Sequence, residues 1–220
     1  MIPHVIVHNS VSLDGQNVGF AVDIGLHYEV AQKWSYEAHL VGSNTILQGD
    51  AEIPPDDEAA LQPPAPIAPN DKRALLVVAD SRGRLSKWRS LRQQPYWRGG
   101  VALCSRSTPQ EYVDYVTRCH VPYLIAGDDQ VDFREALELL NRRFGVKTVL
   151  VDSGGTLNGL LLRAGLVDEV SLLIHPTLIG GTTPRSFFRA PEGTIPLRLT
   201  HVEPMRDGIV WVRYEVAGSR

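Results

Sequence analysis

Val149-Leu150-Val151-Asp152-Ser153-Gly154-Gly155-Thr156-Leu157-Asn158-Gly159 decides the fold of this chain. A short β-branched run stops at a small-residue turn, and an amphipathic helix follows at once. Leu157, Leu160, Leu161 and Ala164 fall at i, i+3, i+4 and i+7, which predicts one apolar helical stripe facing a core. Gly165 stands where a left-handed residue would close that helix. Paired glycines at a strand-to-helix junction let backbone N–H groups approach a ligand without obstruction by Cβ, and the helix N-terminus favours negative charge there. The same turn also serves a chain that needs glycine for conformation alone.

Working outward, the strand-turn-helix unit recurs. His4 to Asn9 predicts a first strand, Leu26 to about Ala38 a helix, and His39-Leu40-Val41 a strand after which Ser43 caps a short helix. Ala74–Ala79 is a continuous apolar run of the kind covered on both faces, and Val101–Cys104 and Val121–Ile125 add strands. Thr108-Pro109-Gln110-Glu111 places an N-cap, a proline at the first helical position and a glutamate at the third. Asp132 with Glu135 opens a helix whose Phe133, Ala136, Leu137 and Leu140 face inward; Val146–Val151 and Val170–Ile174 are strands. Leu197–Val202 and Ile209–Val216 close the chain as an antiparallel hairpin. The expectation is a three-layer α/β/α fold with a mostly parallel twisted sheet, in a single domain over 1–220. Residues 50–71, rich in proline and acid, read as an irregular surface loop, and its ~22 residues are long enough to suggest either mobility or a functional lid.

Composition narrows the function classes. With 220 residues, 43% hydrophobic and 21% charged, the chain is ordinary for a globular protein, and a net charge of −3 offers no footprint for nucleic acid or an anionic membrane. No apolar run reaches the ~20 residues that span a bilayer, and the N-terminus has no basic and apolar signal segment, so the cytoplasm is expected. Cys104 and Cys119, without CxxC spacing, suit a reducing compartment.

Familiar site motifs fail in turn. GxGxxG and GxSxG are missing, and Leu160 follows Gly159 where a Walker loop needs its lysine. His4 and His8 share a strand face but stand ~13 Å apart, too far to share a zinc, and no metal is expected. Asp152 sits at a strand's carboxyl end, where open α/β sheets place ligands, although a turn carboxylate would sit there too. Ser12-Leu13-Asp14-Gly15, Gly42-Ser43-Asn44-Thr45 and Asp80-Ser81-Arg82-Gly83-Arg84-Leu85 also follow predicted strands. With the glycine turn, they predict a cleft for an extended, phosphate-bearing ligand.

Read in order, these segments resemble the dihydrofolate-reductase-like superfamily, specifically the riboflavin-pathway pyrimidine reductases. The match takes in Asn9–Gly15, Val41–Thr45, Asp80–Leu85, Ser153–Asn158, Gly165–Val170 and Pro176–Gly181, hence nearly the whole chain. The resemblance implies NADPH as hydride donor and a substrate like 2,5-diamino-6-ribosylamino-pyrimidinone 5′-phosphate, whose ribosyl group becomes ribityl. It implies that Ser153, Gly154, Gly155, Thr156 and Leu157 hold the NADPH pyrophosphate, that Thr45 and Ser81 face the cofactor, and that Ala126 and Gly127 lie beside it. It places Asp152 at a family carboxylate on the substrate side, with Asn9, Ser12 and Asp14 lining the pocket. It also implies a homodimer, for which Trp88, Tyr96 and Trp97 are interface candidates if exposed.

Two departures touch the substrate side. Many relatives carry an aspartate four residues after the threonine; here Gly49 stands there, with Asp50 next, and the proline-rich stretch beyond also differs. Discrimination of NADPH from NADH needs a group for the 2′-phosphate, and Arg106, flanked by Ser105 and Ser107, is the candidate. A reductase of a pterin or other heterocycle, or an NADPH-binding protein without turnover, fits the same residues.

Overall fold

In the computed structural model, which describes residues 1–49, 56–68, 70–181 and 185–218, the apolar runs become strands. Along the chain come β1 (His4–Ser12), α1 (Ile24–Ala31), β2 (Ala38–Gly42), α2 (Ser43–Gly49), β3 (Ala74–Ala79), α3 (Trp88–Arg92), β4 (Trp97–Cys104), α4 (Gln110–Arg118), β5 (Tyr123–Ile125), α5 (Phe133–Phe144), β6 (Thr148–Val151), α6 (Gly155–Arg163), β7 (Glu169–His175), β8 (Leu197–Pro204) and β9 (Val210–Val216). Contacts divide the chain into two compact units, residues 1–3 with 36–149 and residues 4–35 with 150–220.

The first unit carries β5-β4-β3-β2 in that order, and each pairing is parallel. Parallel strands need crossover connections: α2 lies on the one from β2 to β3, α3 on the one from β3 to β4 and α4 on the one from β4 to β5. Leu76, Val78, Ala102 and Cys104 pack with Trp88, Tyr112 and Val116 in its core. α4 buries Tyr112, Val113 and Val116, and α5 buries Ala136, Leu137 and Leu140 on the predicted stripe. Asp132 caps α5 as expected, its carboxylate accepting from Glu135 N at 3.0 Å, and left-handed Gly145 ends it.

The second unit carries β1-β7-β9-β8: β1 and β7 are parallel, while β7–β9 and β8–β9 are antiparallel. The chain is thus of the α/β class, mostly parallel with an antiparallel C-terminal hairpin. Leu26 and Val30 of α1 pack on Leu173, Ile209 and Trp211. β6 straddles the division, with Thr148 and Val149 counted in the first unit and Leu150 and Val151 in the second.

Several boundaries differ from the sequence reading. α1 stops at Ala31 rather than Ala38, because Trp34 leaves the helical path to pack edge-on against Trp211 at 6.1 Å. Thr108 is not the cap of α4. Pro109 takes that position, while the Thr108 hydroxyl accepts from Ser105 N and donates to Ser81 O. On α6 the inward face is rotated: Leu157, Asn158, Gly159, Leu161 and Leu162 are buried, whereas Leu160 is 48% exposed and Ala164 is exposed. The segment around Ser186–Arg189 causes the shift by lying over Gly155 and Gly159. Gly165 is left-handed as predicted, with φ +62°. α3 was not anticipated, and its Trp88 is fully buried, so only Tyr96 and partly Trp97 remain as exposed aromatics there. The 50–71 stretch contains one turn of 3-10 helix at Glu58–Leu61; residues 50–55 and 69 lie outside the described residues.

Both cysteines are free and buried. Burial, aided by the Asp80 carboxylate, pushes the Cys104 thiol up to about 12, and burial raises Cys119 as well. Since the thiolate is the reactive form, neither residue should be alkylated by iodoacetamide near pH 8 in the native protein. Mass spectrometry should find both modified once denaturant is added.

The start of α1 gives a second expectation. Asp23 accepts from Leu26 N at 2.8 Å and pairs with Arg206 Nε at 2.8 Å. The Arg206 hydrogen bond is the first cause that brings its carboxyl down to about 2. A depressed folded-state value contributes stability above the unfolded carboxylate range, near pH 4, and loses it as pH falls toward 2. The wild type should lose stability across that window, and Arg206→Ala should flatten the loss when unfolding midpoints are compared from pH 5 to 2.

Candidate functional site

Each unit brings together a group of its own predicted site residues. In the first, Thr45, Ser81, Arg106 and the Ala126-Gly127 pair follow the carboxyl ends of β2, β3, β4 and β5, which are neighbouring parallel strands. The turn after β3 is built on Asp80, a residue 1% exposed whose Oδ2 accepts from the N–H groups of Arg84 and Leu85 at 2.7 and 2.8 Å. Arg84 reaches from this turn to Ser43 Oγ at 2.9 Å and Asn44 Oδ1 at 2.8 Å, so it pins the start of α2 beside Thr45. Ser81 is half-buried and its Oγ accepts from Val131 N at 3.0 Å. Gly127 is a glycine for its turn: φ is +77°, and a Cβ would strike Asp132 N at 2.7 Å. Its N–H donates to Glu135 at 2.8 Å. Arg106 projects into solvent and pairs with Asp128 at 2.8 Å. Exposed pairs of this kind are worth little, so the guanidinium can exchange partners.

In the second unit the glycine turn joins the carboxyl end of β6 to α6. Gly154 is the N-cap, with extended backbone (φ −73°, ψ 165°), and no side chain caps the helix. Helix starts leave backbone donors without intrahelical partners. A Cβ built on Gly154 meets nothing nearer than Asn17 Nδ2 at 3.9 Å, so the space above it is open. Gly155 is different: it is buried, and a Cβ there would run into the Ser186 carbonyl and Arg189 Cγ. Thr156 is exposed and Leu157 is buried.

Ser153 is 5% exposed, and its carbonyl accepts from Asn9 Nδ2 at 3.0 Å and Asn158 Nδ2 at 3.2 Å. Asn158 also donates to Asn9 Oδ1 at 2.7 Å and to Phe187 O at 2.8 Å. Asn9 is therefore committed to the turn. Ser12, 1% exposed, donates to Asp14 at 2.5 Å. Asp14 is exposed, yet it accepts further from Gln16 Nε2 at 3.1 Å, Gly180 N at 2.8 Å and Ile179 N at 3.2 Å. These donors, Ser12 first, hold its carboxyl well below the usual range. Asp152 lies against His27, with Nε2 to Oδ2 at 3.2 Å; its side chain is 23% exposed against 6% for the histidine.

Sequence reasoning missed Asn158 and His27. The signal for such residues was polarity inside buried elements: His8, Asn9, Ser10 and Ser12 are all buried in β1 and must find partners there. Gly49 ends α2 with open space around it, and Asp50 lies outside the described residues. Among the described residues no three His, Cys, Asp or Glu could hold a metal ion, and no helix is long and apolar enough to cross a membrane.

The model of the RibD C-terminal domain matches residues 3–211. The chain belongs to the RibD C-terminal domain family. A relative in this family from Methanothermobacter thermautotrophicus is 30% identical over 195 residues, 84% of this chain and 83% of its own length. One from Archaeoglobus fulgidus is 29% identical over 82% of this chain and 84% of its length. Both are named 2,5-diamino-6-ribosylamino-4(3H)-pyrimidinone 5′-phosphate reductases. The RibD-type fold is similar to that of a pyrimidine reductase-like protein of Corynebacterium diphtheriae, with a TM-score of 0.73 at 15% identity over 97% of this chain and 92% of the other. An Enterococcus faecalis dihydrofolate reductase solved with NADP(H) shares the fold at a TM-score of 0.50 and 10% identity, over 99% of each chain.

Proposed function

We propose that this chain is a cytoplasmic, homodimeric, NADPH-dependent reductase of riboflavin biosynthesis. Its substrate is 2,5-diamino-6-ribosylamino-4(3H)-pyrimidinone 5′-phosphate, and it converts the ribosyl group to ribityl. The observation that carries this reading is the match to reductases of that name over more than four-fifths of both chains.

The residues fit the cofactor. Gly154, with open space above it and an uncapped helix behind it, suits a pyrophosphate whose oxygens accept backbone N–H groups. Ser153 and Gly155 shape that turn, and Thr156 adds an exposed hydroxyl at its start. Within the first unit, Thr45, Ser81, Ala126 and Gly127 are candidates for holding a dinucleotide, and Arg106 for a 2′-phosphate. Arg106→Ala should therefore weaken NADPH by about three- to tenfold and leave NADH unchanged, the scale of one exposed charge-assisted contact; fluorescence titration with both nucleotides checks it.

Bound NADPH supplies a hydride to the imine carbon of the opened sugar. The imine accepts it as the nitrogen-protonated cation, so one proton from the medium enters, only the C=N π bond is lost, and the nitrogen ends as a neutral amine still bonded to the ribityl carbon. Asp152 is the carboxylate proposed to stand beside that cation, orienting it and stabilising its charge. Ser12 and Asp14 shape the loop on the substrate side, and Asn9 acts through the turn it holds.

The test is turnover of the purified protein with NADPH and the diamino-pyrimidine phosphate, followed by absorbance of the reduced nicotinamide, with dihydrofolate in parallel. Oxidation with the pyrimidine phosphate alone is the expected result. Oxidation only with dihydrofolate, or binding of NADPH without oxidation, would overturn it.

A further inference from the structure

We infer that His27 is a positioning residue, which holds the Asp152 carboxylate in place for the reduction. The inference rests on the proposed activity and adds to it a residue outside the turn and the substrate loop.

His27 belongs to a buried polar chain within the second unit. Trp211 Nε1 lies 2.9 Å from Ser171 Oγ, and Ser171 Oγ lies 3.0 Å from His8 Nδ1. His8 Nε2 is 3.1 Å from the His27 carbonyl. Ser10 Oγ is 3.0 Å from His27 Nδ1, and His27 Nε2 is 3.2 Å from Asp152 Oδ2. Histidine hydrogens follow from their partners, and here an acceptor-only partner fixes the Nε2 hydrogen of each ring. The His27 carbonyl only accepts, so His8 Nε2 carries a proton, and the tautomer with its one hydrogen there accepts at Nδ1. Ser171 therefore donates to His8, which leaves its oxygen to receive the Trp211 N–H, a group that can only donate. In the same way a carboxylate only accepts, so His27 Nε2 donates to Asp152, and the Ser10 hydroxyl, which can donate or accept, meets Nδ1. Every bond in the chain has a donor and an acceptor, with no conflict at any atom.

This arrangement has a direction. His8, Ser10, His27 and Ser171 are all at most 7% exposed, while Asp152 reaches solvent. The packed end holds His27 at two points, the ring at Nδ1 and the backbone at its carbonyl. The ring then presents one N–H to the one member of the chain that faces outward. A hydrogen bond donated to the charged form of a carboxylate favours that form, which is the form that stabilises a cationic imine. The titratable groups around His27 are His8, with ring centroids 4.4 Å apart, Tyr28 at 5.0 Å, and Asp152. His175 also acts electrostatically with His27, and burial pulls its own pKa down.

The test is a double-mutant cycle on the full chain, read in kcat, KM and NADPH affinity. His27→Phe should lower kcat about tenfold with NADPH affinity unchanged, and Asp152→Asn should lower it more. In the Asp152→Asn background His27→Phe should add nothing, and His27→Gln, which keeps a side-chain N–H donor, should recover most of the loss. Losses that multiply, or a His27→Phe variant with wild-type kcat, would overturn the role of His27 while leaving the reductase reading intact. Absence of turnover in the wild type would instead remove the reductase reading, and the role of His27 in it. Nitrogen-15 NMR of the wild type needs no variant to fold: it should show a proton on His27 Nε2, and a proton on Nδ1 alone would overturn the assignment.

Discussion

Gly155→Ala is expected to cost about 2–3 kcal/mol of stability, the upper range for forcing one methyl into a packed site. The new Cβ would enter the space of the Ser186 carbonyl and come within 2.8 Å of Arg189 Cγ. A side-chain tip could swing away, but the carbonyl belongs to a segment fixed by its own bonds. Arg189 N donates to Gly155 O at 2.9 Å, and Phe187 O receives Asn158 at 2.8 Å. Gly159→Ala meets the same segment, with the Arg189 carbonyl carbon at 2.7 Å, and should behave alike. For a chain of this length each kcal/mol lowers Tm by roughly 2–4 °C, so each variant should melt on the order of 5–10 °C below the wild type. An unchanged melting curve for both would show that the 186–189 segment does not bear on α6.

Gly154→Val should do the opposite. Its backbone is extended, a conformation that β-branched residues favour, and the space above it is open. Melting should fall by no more than about 2–4 °C, roughly the 1 kcal/mol that separates an apolar residue from glycine at an N-cap. NADPH affinity should nonetheless fall on the order of thirtyfold, about 2 kcal/mol, because the branched side chain would stand where the pyrophosphate approaches the backbone. Calorimetric titration beside a thermal melt separates the two effects. Lost stability without lost affinity would mean that Gly154, like its neighbour, serves packing.

The contrast between these adjacent glycines marks where the sequence was legible. A glycine pair at a strand-to-helix junction is visible in the string, as is Gly165, and both were placed correctly. The reason for each glycine is not visible, because Ser186 and Arg189 are distant along the chain and only the fold brings them to Gly155. The inward face of α6 was misjudged for the same cause: the 3.6-residue period offers more than one apolar stripe, and the covering segment selected another. Local signals succeeded where the partner is local. Asp132 caps α5 because its own Glu135 N–H is the acceptor's target, and β3 followed directly from its unbroken apolar run. Thr108 failed as a cap because distant Ser81 offers its hydroxyl a better role. The place of Asp152 at a strand's end was legible, whereas its contact with His27, 125 residues away in sequence, comes only from the three-dimensional arrangement.

The four hydrogen bonds on Asp14 bind two stretches of chain, Ser12–Gln16 and Ile179–Gly180, with a single carboxylate. Loop transplants between relatives must therefore move these stretches as a matched pair. A graft of the first alone that brings another residue to position 14 strips two amides of their acceptor. A graft of the second alone that repositions its backbone leaves the acid without half its donors.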